Sequence, residues 1–135
     1  MTYEEKKAWL GRYREAEKKY RLLSDRLAEA QTATRRTTQN VSATPGGSGD
    51  GQSLARAVER EEEAERRVYA QLAVCDALFE EIDEVLERLE DYRDYCILRD
   101  YYLNIQTWEQ IAAKMDISVR WIHSLRAQAI EQLKI

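Results

Sequence analysis

An all-α fold is predicted from three features: a helix-forming composition, apolar residues spaced three and four apart over long stretches, and capping signals near the C-terminal end. The 135 residues include only 5 Gly, 1 Pro and 1 Phe, and 34% are charged. Ala, Glu, Arg, Leu and Gln dominate, a mix that favours helix over strand. This length allows one compact domain or two small helical units and excludes a large catalytic scaffold.

The first element is a long helix over about 3–31. Trp9, Tyr13, Ala16, Tyr20, Leu23, Leu27 and Ala30 follow one another at intervals of 4, 3, 4, 3, 4 and 3, a heptad seam that needs a partner helix in the same chain or in another copy. From Thr32 to Gln52 the chain turns to Thr, Ser and Gly and carries Pro45, which reads as a flexible linker. Ser53 is an expected N-cap for a second helix over about 53–90. Its seam reads Leu54, Val58, Glu61, Glu65, Val68, Leu72, Cys75, Phe79, Ile82, Leu86 and Leu89, with Leu78 and Val85 as a flank. Residues 1–90 are thus expected to form a long helical hairpin, or a coiled coil between copies. A third helix is expected after Glu90, with Tyr92, Tyr95, Cys96, Leu98, Tyr102 and Leu103 on its apolar face and Asn104 as its stop.

Residues 91–135 then end in the sharpest local signal of the chain. Thr107 followed by Gln110 is a capping-box pair, and Ile111, Ala112 and Met115 give a short helix its inward face. Asp116 and Ile117 break that helix, Asp being one of the few non-glycine types that tolerate a left-handed backbone. Ser118 caps a last helix with Ile122, Leu125, Ala129, Ile130 and Leu133 facing inward. This is the spacing of a helix-turn-helix. The side chains expected to face a DNA groove are Val119, Arg120, His123, Ser124, Arg126 and Gln128. Arg120 suits a guanine edge, Ser124 and Gln128 suit base hydrogen bonds, and Val119 suits a thymine methyl. Lys114, Arg126, Lys134 and the amides at Ser118 are placed for phosphates. Trp121 reads first as a buried wedge against the third helix and, as the alternative, as an exposed aromatic near the DNA backbone.

The segment LRDYYLNIQTWEQIAAKMDISVRWIHSLRAQAIEQL resembles region 4 of bacterial sigma factors. The whole chain is similar to small phage and prophage regulators of the RinA/ArpU type, through Leu98, Tyr101, Tyr102, Thr107, Trp108, Glu109, Ile111, Ala112, Ser118, Ile122, Leu125 and Ala129. The resemblance implies a sigma-region-4-like helix-turn-helix and activation of late-gene transcription from double-stranded DNA. Where the pattern carries basic residues after the capping Ser, this chain has Val119 and Trp121, so base preference does not carry over. Partners implied are double-stranded DNA, RNA polymerase and a second copy forming a homodimer.

Charge runs +4 over residues 1–40, −9 over 41–92 and +1 over 93–135, so DNA binding must rest on local placement rather than bulk charge. The acidic central helix repels DNA or offers a surface to a basic partner. No uncharged apolar run reaches roughly 18 residues, and the first residues lack the apolar core of a signal peptide. A chain in the cytoplasm of a bacterial host, without a membrane partner, is the expectation. Cys75 and Cys96 sit in apolar helical patterns and are expected as reduced thiols. One His and two such Cys offer no constellation for acid–base or nucleophilic catalysis, so no enzyme, cofactor, metal or small-molecule substrate is expected. Pro45–Gly51 lacks the Lys-Ser/Thr of a phosphate loop, and the acidic run from Glu59 reads as a solvated helix face. Two other readings compete with the regulator: a phage small terminase subunit that recognises packaging-site DNA, and a structural helical adaptor without DNA affinity.

Overall fold

The computed structural model describes residues 1–43 and 50–135, and the part of the expected linker at 44–49 lies outside them. The described residues are all-helical, with no strand among them. In chain order the elements are α1 (Tyr3–Leu10), α2 (Arg12–Ala43), α3 (Asp50–Leu86), α4 (Tyr92–Tyr102), α5 (Trp108–Met115) and α6 (Val119–Gln132). None of these helices is long and apolar enough to cross a membrane.

Several boundaries differ from the sequence reading. The first helix is interrupted at Gly11, the C-cap of α1, and α2 runs on through the segment expected as linker to Ala43. The heptad seam continues there with polar occupants: Thr34 and Thr37 fall four and seven residues after Ala30, and both are half-buried. Threonine hydroxyls donate back to carbonyls four residues earlier, from Thr32 to Ala28, Thr37 to Ala33 and Thr38 to Thr34. That bonding satisfies the hydroxyls within the helix at a slight cost in helix stability, so the burial of Thr34 and Thr37 rather than the bonding carries the helix on. At its far end α3 stops at Leu86 rather than Glu90.

The chain divides into two compact units, Met1–Glu17 with Cys75–Ile135, and Lys18–Val74. The expected boundary at residue 90 is therefore replaced: the N-terminal helix belongs with the C-terminal helices. In the first unit Leu10, Ile82, Val85, Leu86, Leu98, Tyr102, Leu103, Ala129, Ile130 and Leu133 make one buried cluster. Burying such side chains contributes about 1.5–3 kcal/mol each and is the main force holding the unit. Within it Tyr13 meets the Phe79 ring edge-on at 5.4 Å, and Arg12 reaches Glu81 at 3.2 Å. Asp83 accepts from the Tyr95 hydroxyl at 2.9 Å and from Arg99 Nε at 3.1 Å, tying the end of α3 to α4. The Asp83 carboxylate holds the Arg99 pKa above its ordinary value. Tyr92, expected on the apolar face, is 76% exposed, and Ile97 is buried in its stead. Both cysteines are free, Cys75 buried and Cys96 half-buried.

In the second unit α2 and α3 lie alongside each other, with the Thr34 hydroxyl 3.1 Å from Ala30 O and 3.3 Å from Ala57 O. The α3 row facing inward is Leu54, Ala57, Glu61, Ala64, Val68 and Gln71, all buried or half-buried. It shares Leu54, Glu61 and Val68 with the expected seam. At the alternate positions it replaces Val58, Glu65 and Leu72, which are exposed, by Ala57, Ala64 and Gln71. Ala57 and Ala64 are small enough to allow close helix approach, whereas the larger apolar side chains Val58 and Leu72 favour the other row.

Candidate nucleic-acid interface

The C-terminal pair of helices is built by local rules. Thr107 Oγ1 accepts from Gln110 N at 3.1 Å while Gln110 Oε1 accepts from Thr107 N at 2.9 Å, closing the capping box that starts α5. The helix ends on Asp116, at φ 57° and ψ 43° in the left-handed region. Ile117 N then donates to Ala112 O at 3.1 Å, and Ser118 Oγ accepts from Trp121 N to open α6. Between them Ile97, Ile111, Ala112, Ile122 and Leu125 form a second buried cluster.

Three clamps hold α6. Its C-terminal carbonyls, which have no intrahelical donors, are met by Lys6 Nζ on Glu131 O at 3.0 Å and by Arg88 Nη1 just beyond the helix on Lys134 O at 3.1 Å. The third is an aromatic column. Arg14 lies 4.1 Å over the Tyr101 ring and donates to Tyr101 O at 2.6 Å. Tyr101 stacks on Trp108 at 3.8 Å, and Trp108 meets the His123 ring edge-on at 5.8 Å and the Arg126 guanidinium at 4.9 Å. Tyr102, buried beside this column, has its pKa pushed up to about 12 by desolvation.

The expected contact residues divide accordingly. Arg120, His123, Ser124 and Gln128 are exposed, as is the capping Ser118. Val119 is half-buried and packs on the second cluster, so it is not a free base contact. Arg126 is also displaced from the expected face: its guanidinium covers Trp108, with Nε buried, because position 126 follows Ile122 by one helical turn and shares its inward side. Lys114 Nζ pairs with Asp100 Oδ2 at 3.2 Å, and Asp100 also accepts from Asn104 Nδ2 at 2.9 Å. The lysine remains largely exposed, so it can still reach a phosphate.

Trp121 takes the second of its two expected places, exposed rather than wedged against the third helix. It is 57% exposed and lines a shallow depression of about 380 Å³ with Ser118, Arg120, Ser124, Leu125 and Gln128. Its spacing of three and seven residues from Ser124 and Gln128 puts it on their face, a signal that was available in the sequence. Hydrogen-bonding, cationic and aromatic groups are thereby gathered on the outer side of one rigidly seated helix. Among the described residues no cluster of His, Cys, Asp or Glu could hold a metal ion. Comparison with protein families, curated proteins and solved structures finds no match to this chain.

Proposed function

We propose that α5 and α6 form a sigma-region-4-like helix-turn-helix, and that the protein is a sequence-specific double-stranded DNA-binding regulator of transcription, a phage or prophage late-gene activator by its resemblance. One observation carries the reading: α6 is capped, clamped and buried along Ile122, Leu125 and Ala129, yet its outer face presents Arg120, Trp121, Ser124 and Gln128 to solvent. A helix of this width fits a major groove, where bidentate Arg and amide contacts distinguish base pairs. Arg120, Ser124 and Gln128 read base edges, Trp121 lies along the sugar-phosphate wall or a thymine methyl, and Lys114 and the amides after Ser118 position the backbone.

The test is selection of duplexes from a random library by the full chain, followed by sequencing. Enrichment of one motif, lost in Arg120→Ala, supports the reading. Retention without enrichment leaves only phosphate attraction, and no retention at low salt leaves an adaptor without DNA affinity. A motif confined to packaging sites would favour the terminase alternative.

A further inference from the structure

The two outer flanks of the Lys18–Val74 unit differ in chemistry, and each supplies what the other lacks. On α3 the rows beside the inward-facing Ala57–Ala64–Gln71 row are distinct. One reads Arg56, Arg60, Glu63, Arg67; the other reads Val58, Glu62, Glu65, Tyr69, Leu72. Every arginine between residues 56 and 67 is absent from the second row, and that row is exposed along its length, with Tyr69 63% and Leu72 38% accessible.

The arginine flank is hollow. Arg56, Arg60 and Arg67 join Arg26 of α2 around a groove of about 440 Å³ whose floor is Leu23 and Ala64 and whose remaining walls are Glu59 and Glu63. Glu63 is already held by Arg66 at 2.8 Å and Arg67 at 3.1 Å, which keeps its pKa below the ordinary value. Arg26, Arg56 and Arg60 have no ion pair among the described residues, leaving the groove basic over an apolar floor. Two helices cannot cover both flanks of their own layer, and bundles of this kind gain stability by adding helices.

We propose that the basic groove of one copy receives the Val58–Leu72 row of a second copy, so that the chain self-associates through two different, complementary faces. Glu62 and Glu65 meet Arg26, Arg56 and Arg60, while Tyr69 and Leu72 lie over Leu23 and the arginine stems. Pairing of like flanks is disfavoured, since an in-register or two-fold α3 contact through this row sets Glu65 against Glu65. The two faces lie on opposite sides of the helix pair, so the contact is heterologous, and a dimer still offers one free face of each kind. Association therefore continues beyond two copies. This inference stands whether or not the chain binds DNA.

The experiment is sedimentation velocity of the full chain over a concentration series, with two exposed double variants. Glu65→Lys/Leu72→Lys spoils the acidic row, and Arg56→Glu/Arg60→Glu spoils the groove. The wild type should pass beyond dimer mass as concentration rises and retreat at high salt. Each variant alone should be a monomer with unchanged helical circular dichroism, and an equimolar mixture should give a dimer and stop there, because only one intact face of each kind remains. A wild type that stays monomeric, one that halts at a dimer, or a mixture that stays monomeric would each overturn the proposal.

Discussion

At the scale of single residues, the C-terminal pair was the most legible part because its determinants are local. Thr107, Gln110, Asp116 and Ser118 act within four residues of themselves, and each occupies the capping or turn position its chemistry implies. Thr107→Ala should cost about 1 kcal/mol, read as a lowered melting midpoint, since it strips the box of its acceptor. Arg126 and Val119 were misread because a side chain's direction depends on what it packs against, and nothing local reports the ring of Trp108 under Arg126. Tyr102 gives a pH prediction. Its folded pKa of about 12 lies above the ordinary tyrosine value of 10.0. The unfolded chain therefore loses that proton first, and stability falls as pH rises from about 10 toward 12. Tyr102→Phe should flatten that decline in chemical denaturation; an unchanged slope would place the loss elsewhere.

At the scale of elements, the helices were legible wherever apolar residues held the period, and lost where polar ones did. Thr34 and Thr37 keep the seam of α2 going by spacing and burial alone, so hydropathy ended the helix about a dozen residues early. The register of α3 was ambiguous because two heptad rows share Leu54, Glu61 and Val68, and only the contact with α2 selects the one through Ala57 and Ala64. That selection is testable. Val68→Asp should unfold or strongly destabilise the second unit, a buried charge costing several kcal/mol, while Leu72→Asp, measured at low concentration, should leave the midpoint nearly unchanged. Equal losses would restore the Val58–Leu72 row to the core.

At the scale of the whole molecule, the sequence carried no sign that α1 closes over α6, because that contact joins residues such as Lys6 and Glu131, 125 positions apart, through no shared local pattern. Charge is partitioned between the units. Counted from the sequence, Met1–Glu17 with Cys75–Ile135 sums to −6 and Lys18–Val74 to +2. The unit bearing α6 cannot hold DNA by bulk attraction, and its selectivity must come from a few placed groups. With Lys134, Lys114 on leaving Asp100, and at most Arg120 beside the base edges it reads as the cations that unit brings to the duplex, the slope of log affinity on log salt should be shallow, about −3 at most at roughly −0.9 per phosphate.

The most direct measurement of the central claim is fluorescence anisotropy of the full chain on its selected duplex and on a scrambled duplex, for wild type and Arg120→Ala, across a salt series. Base reading by α6 predicts that the substitution weakens the selected duplex by about 1–3 kcal/mol and the scrambled one far less. Equal weakening of both duplexes, or none, would contradict it.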